Sequence, residues 1–215
     1  LDTEGVQNAG VTYDTSAKIV TVNVVDNGDG TLTASVDESS DELTFTNTYN
    51  VQPITFRAAY FTLEGNKVLD GRNWEQGDTF TFTMTPGVGT NPNGTEMNAD
   101  VLTATMPAKT SDTIEPLGND GSYVSDNTAE FTFTDERWAG GSTVPEDQFT
   151  FTQPGTYRYL IQETNPNQAV AGSGILGVTY DQTTYRLEVK VVDKGDGTLD
   201  VESYNYSKRA PGEID

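Results

Sequence analysis

Residues 177–199 read GVTYDQTTYRLEVKVVDKGDGTL, and residues 10–32 read GVTYDTSAKIVTVNVVDNGDGTL. Aligned without gaps, the two segments match at 14 of 23 positions, at an offset of 167 residues. A match at that spacing marks a repeated domain, since solenoid units recur every 20–50 residues or so. The 215 residues therefore hold about 1.3 copies. Residues 1–50 read as the C-terminal strands of one repeat, and 51–215 as most of the next. In the second copy Tyr185, Leu187, Val189 and Val191 alternate with Arg186, Glu188 and Lys190. In the first, Val20, Val22 and Val24 fall opposite Thr21 and Asn23. That period of two is the signature of a β-strand. The glycine-rich stretches DNGDG (26–30) and DKGDG (193–197) are hairpin signals between two strands.

Working outward, the same alternation predicts strands at LTFTNTY (43–49), TFTFTMT (79–85), EFTFT (130–134), QFTFT (148–152) and TYRYLIQE (156–163). Residues 86–129 are rich in Gly, Pro, Asn, Asp and Ser and read as a long irregular insertion, with one strand at VLTATM (101–106). No stretch reads as an amphipathic helix. Many strands separated by turn signals predict an all-β fold, a sandwich or an open barrel.

Composition narrows the chemistry. The chain has 33 acidic and 12 basic residues, a net charge of −21, and neither cysteine nor histidine. So acidic a surface argues against nucleic acid, which is bound through lysine and arginine displacing phosphate counterions. It argues equally against anionic lipid. Without cysteine there is no disulfide framework or thiolate ligand, and without histidine no Ser-His-Asp triad and no imidazole-bound zinc. Aromatic residues at 10% and threonine at about one residue in seven favour pleated strands over acidic disorder. No apolar run reaches the length of a bilayer span, and no signal peptide opens the sequence. Starting at Leu1, the chain reads as an excerpt, with a strand equivalent to LTFTNTY expected just past Asp215.

Three polar residues fall in core register. In TYRYLIQE, Tyr157, Tyr159, Ile161 and Glu163 share the face expected to be buried, opposite Arg158, Leu160 and Gln162. Lys67 lies in phase with Leu63 and Leu69. In LTFTNTY, Asn47 shares a face with Phe45 and Tyr49, and Thr46 and Thr48 point to solvent. Buried polar groups must be paired, because leaving one unpaired costs several kcal/mol. Burial also favours the neutral forms of amines and carboxyls. A neutral amine is a nucleophile and a protonated carboxyl polarises an amide carbonyl. A lysine, a glutamate and an asparagine held together can thus form an isopeptide bond and release ammonia, with proximity in place of a cofactor.

The ordered motifs carry a resemblance. They are Lys67-Val68-Leu69-Asp70-Gly71-Arg72, Gly77-Asp78-Thr79-Phe80-Thr81-Phe82, Gly155 through Glu163, Gly177 through Asp181, Asp193 through Leu199 and, in the first copy, Phe45 through Tyr49. In this order the chain resembles the streptococcal pilin isopeptide-linkage domain, a CnaB-like, Ig-type β-sandwich repeated in Gram-positive pilins and adhesins. The resemblance covers nearly everything except 86–129. It implies that Lys67 is the bond-forming lysine, Glu163 the catalytic acid, and Asn47 the cross-linking asparagine of the preceding repeat. It implies an extracellular, cell-wall-attached stalk protein whose only reaction is its own maturation, with no cofactor and no enzymatic turnover. The expected partners are neighbouring repeats of the same protein. Lys67's own asparagine is expected on the strand just past Asp215; alternatively the strand carrying Asn47 completes the 51–215 repeat by permutation or by exchange between chains.

Other readings are weaker. Counting back from Gly30 places Asp29, Asn27 and Val25 at the alternate positions an EF-hand loop needs, so the calcium pattern fails and a turn is expected. Trp74 and Trp138 read as core or loop anchors before they read as a sugar platform. The alternative function is a ligand-binding adhesin module for a host glycan or protein, with the 86–129 stretch and a tryptophan forming its site. A glycoside hydrolase pair of carboxylates is only numerical opportunity among 33 acidic residues.

Overall fold

The repeated alternation resolves into strands in both copies. The computed structural model describes residues 10–115, 127–135, 145–169 and 171–209. The chain divides into two compact units, Leu1–Asn50 and Val51–Asp215. In the first unit β1 (Val11–Thr12) pairs antiparallel with β4 (Thr48–Tyr49), and β2 (Val22–Asp26) with β3 (Leu32–Val36). The turn between β2 and β3 takes Gly28 and Gly30 into positive φ, at 74° and 88°. That region favours glycine because it carries no Cβ. Asp26 accepts the Gly28 N–H and Asp29 accepts the Thr31 N–H, so these carboxylates hold the turn.

The second unit contains β5 (Ile54–Arg57), β6 (Glu64–Val68), β7 (Phe80–Pro86), the helix α1 (Ala99–Thr105), β8 (Ser111–Ile114), β9 (Thr128–Thr132), β10 (Gln148–Phe151), β11 (Gly155–Glu163), the short helix α2 (Pro166–Ala169), β12 (Thr184–Asp193) and β13 (Leu199–Arg209). One sheet has five antiparallel strands in the order β13-β12-β11-β7-β8. Facing it are two antiparallel pairs, β5 with β10 and β6 with β9. The β12–β13 turn repeats the β2–β3 one, with Gly195 and Gly197 at φ 80° and 82°.

The period of two decides which rings meet. Tyr157, Tyr159, Ile161 and Glu163 of β11 are buried, as are Phe80, Phe82 and Met84 of β7 and Leu187, Val189 and Val191 of β12. They face Phe149 and Phe151 of β10 and Phe61 of the 3-10 turn after β5. Phe151 sits 4.8 Å from Tyr157, Phe149 5.0 Å from Tyr159, and Phe61 5.3 Å from Phe149, ring centre to ring centre. Each buried ring contributes on the order of 1.5–3 kcal/mol of burial. The result is an all-β sandwich with an aromatic core.

Two expectations are corrected. VLTATM is not a strand: α1 takes in Val101–Thr105, and the chain does contain a helix. Asn98 caps it, accepting the Asp100 N–H at 2.7 Å. The residues it buries, Leu102 and Thr105, are three apart, the spacing of one helical face. Leu102 lies so close over Gly89 that a Cβ there would stand 2.6 Å from Leu102 Cδ2. The 86–129 stretch is therefore only partly irregular, since it supplies α1 and the edge strand β8; its residues 116–126 lie outside the described ones.

The second correction concerns LTFTNTY, of which only Thr48–Tyr49 is strand. Phe45, Asn47 and Tyr49 do not form a buried face: all three are exposed. Within residues 10–50 the two strand pairs build no second layer to cover one. The hairpin behaves alike, with Val22 and Val24 more than half exposed where their counterparts Val189 and Val191 are buried.

Candidate functional site

β6 turns Lys67 inward by strand parity, in phase with the buried Leu63 and Leu69 that flank it, and Gly65 leaves room for a ring. β11 ends its buried face on Glu163. Across the sandwich the two charged side chains meet. Lys67 Nζ stands 2.7 Å from Glu163 Oε1 and 2.9 Å from Oε2. The lysine side chain is 10% exposed and the glutamate 3%. Nζ also lies 4.6 Å from the centre of the Phe80 ring, on its electron-rich face.

A backbone donor completes the pair: the Asp181 N–H donates to Glu163 Oε2 at 2.8 Å. Asp181 closes a tight turn, accepting the Thr183 N–H at 2.8 Å. Hydrogen bonds from Thr183 hold its carboxyl below the usual carboxylate range, with help from the nearby lysines Lys208 and Lys67. Tyr180, next in the chain, is buried 5.6 Å from Phe80, and Phe80 in turn meets Trp74 edge-on at 5.1 Å. Behind them Arg72 grips Asp78 with two bonds of 2.6 and 2.8 Å, which keeps the Asp78 carboxyl low. Lys67 thus has one carboxylate partner, an aromatic wall and a fixed backbone.

A groove of about 1100 Å³ runs beside the pair. Lys67, Glu163, Phe82, Phe131, Tyr180 and Tyr206 are among its walls, and the 176–183 segment forms one side. A buried amine and carboxyl opening on a groove of mixed polarity can transfer a proton between themselves and present a nucleophile to a segment lying in it.

Of the three residues expected to act together, Lys67 and Glu163 are in contact. Asn47 belongs to the other unit. There its Oδ1 accepts the Asp14 N–H at 3.1 Å. Trp74 is a core anchor, 5% exposed and not a platform for sugar; Trp138 lies outside the described residues. Among the described residues no group of acidic side chains is set to hold a metal. Strand parity does not predict the Asp181 N–H. A backbone donor leaves no mark in a side-chain pattern, although GVTYD at 177–181 and 10–14 flagged the segment.

Comparison with known families decides the identity. The sequence matches the FctA family, described as a Spy0128-like isopeptide containing domain, over residues 3–50 and 63–213. The chain belongs to this family. FctA domains are pilin-type isopeptide domains, which makes this chain part of a surface protein. No curated protein matches it. Among the described residues no helix is long and apolar enough to cross a membrane.

Proposed function

We propose that the 51–215 unit is a load-bearing stalk domain of a Gram-positive adhesin or pilus-like protein, stiffened by a Lys–Asn isopeptide bond made on Lys67. The observation that carries this reading is the buried contact of Lys67 Nζ with both oxygens of Glu163, at 2.7 and 2.9 Å. Proton transfer within that contact yields the neutral amine and the carboxylic acid together, with no change in the charge of the site. The amine attacks Cγ of an asparagine side chain. The Nζ–Cγ bond forms, the Cγ–Nδ2 bond breaks, and Glu163 carries the proton from Nζ to Nδ2, which leaves as ammonia. The acceptor is an asparagine on a strand of the Phe45–Tyr49 type, of which Asn47 is the representative in this chain.

The reaction happens once per site, so the domain is not an enzyme in the turnover sense. Its product does in a cysteine-free protein what a disulfide does elsewhere: it closes a long loop covalently and withstands reduction. A wall-attached location follows from the same reading.

Intact mass under denaturing conditions tests it. Chain incubated with a peptide of residues 43–50 should give an adduct one ammonia lighter than the sum of its parts. Lys67→Ala and Glu163→Ala chains should give none. Chains that complete one another should form a ladder, each step short by one ammonia. Unmodified mass throughout, or an adduct that survives Lys67→Ala, sinks the proposal.

A further inference from the structure

The two repeats hold the GVTYD segment in the same way but with different partners on one amide. In the second unit the Asp181 N–H donates to Glu163 Oε2 at 2.8 Å, and Asp181 Oδ1 accepts the N–H two residues on, from Thr183, at 2.8 Å. Asp14 is the equivalent residue in the first unit. Its Oδ1 accepts the Ser16 N–H at 2.9 Å, the same turn. Its own N–H, however, donates to Asn47 Oδ1 at 3.1 Å, and its Oδ2 accepts the Thr46 N–H at 3.2 Å. Around these bonds Val11 pairs with Tyr49, Thr12 with Thr48, and the Asn50 N–H donates to Gly10 O at 2.8 Å. The first unit therefore displays an asparagine strand docked on GVTYD. In the second unit the matching residues, Val178 and Thr179, lie in no strand, and they border the groove beside Lys67.

Superposing the two roles on one motif, we infer that Asp181 is the seat of the acceptor strand, positioning its asparagine for Lys67. This rests on the reading of Lys67 as the nucleophile. An extended strand of the Phe45–Tyr49 type pairs antiparallel with Val178–Thr179. The N–H of the residue before its asparagine donates to the Asp181 carboxylate. The asparagine Oδ1 takes the Asp181 N–H. That bond points a donor at the oxygen on which negative charge grows when an amine adds to Cγ, as the donors of an oxyanion hole do. It also takes the N–H from Glu163, which leaves Oε2 free to accept the proton that Nζ releases. Arrival of the amide thus does two things at once: it polarises the carbonyl and it frees the base. Asp181 is a positioning residue through its carboxylate, and its N–H touches the reacting amide.

The test separates seating from bond formation. A labelled peptide of residues 43–50 is titrated by fluorescence anisotropy into full chain carrying Lys67→Ala, where no covalent product forms. Asp181→Ala, and the isosteric Asp181→Asn as a second variant, should weaken binding at least ten-fold. The same peptide N-methylated at Thr46 lacks the N–H meant for Asp181. Its loss should match that of Asp181→Ala, and combining the two should cost no more than either alone. In chain with Lys67 intact, Asp181→Ala should slow adduct formation by a similar factor. Peptide that fails to bind, or binds the Asp181 variants unchanged, overturns the seat, even if an ammonia-short adduct still forms on Lys67. Binding that depends on Asp181 without any adduct keeps the seat and removes the nucleophile.

Discussion

Gly65 lies under the ring of Phe131, its cross-strand partner on β9: a Cβ at Gly65 would stand 2.7 Å from Phe131 Cζ. The ring cannot retreat freely, because it is stacked on Phe82, 3.8 Å away and within 8° of parallel. Gly65→Ala should therefore push Phe131 out of the stack and destabilise the unit by about 1–3 kcal/mol, the usual cost of overpacking a core. Chemical denaturation checks this. Adding Phe131→Leu to Gly65→Ala should recover part of the loss, since a smaller side chain removes the clash.

Lys67 and Glu163 should behave as a buried pair in stability as well as chemistry. Removing one partner strands the other's charge, which costs about 3–5 kcal/mol. Glu163→Gln and Lys67→Met, measured by urea unfolding on chain without the covalent bond, should each be strongly destabilised. The double variant should lose clearly less than the two single losses added together. Additive losses would mean that the two groups do not interact.

Arg57 and Asp147 form a second pair on which the β5–β10 layer depends. Asp147 is fully buried and is held by Arg57 at 2.9 and 3.1 Å, while the same guanidinium donates to Asp135 O at 2.7 Å. Arg57→Met should cost about 3–5 kcal/mol by leaving the carboxylate buried. Arg57→Met combined with Asp147→Leu should be markedly more stable than Arg57→Met alone, a comparison that thermal melts make directly.

The tyrosines of the core set the alkaline limit. Burial pushes the Tyr157 phenol up to about 12 from its ordinary 10.0, and Tyr159 and Tyr206 move the same way for the same reason. A raised phenol is neutral in the folded chain when it is already ionised in the unfolded one. The stability it contributes is complete below pH 10 and is lost as pH rises toward 12. Melting temperature should hold up to pH 10 and then fall. Tyr157→Phe should start lower, having lost the bond to Gln153 O, but should fall less steeply.

Much of the site was legible because it follows strand parity. The alternation of TYRYLIQE puts Glu163 on the face of Tyr157 and Tyr159, and the phase of Leu63 and Leu69 does the same for Lys67. What parity misses is local capping and tertiary cover. VLTATM alternates as a strand should, yet Asn98 starts a helix there and Leu102 packs it onto Gly89. LTFTNTY alternates too, but parity only says which residues share a face, not whether anything lies against that face. Asp181 escaped because its contribution is a main-chain N–H, visible in sequence only as a motif that recurs.

The distance along the chain between Lys67 and Glu163, 96 residues, has a consequence for biogenesis. An unfolded or half-folded chain brings such groups together rarely, since closing so long a loop is entropically opposed until the sheets on either side have formed. The pair is thus expected to form only once both sheets are in place. Any chemistry it performs is deferred until folding has succeeded, so a bond made there would be a stamp of correct structure that a misfolded copy could not acquire.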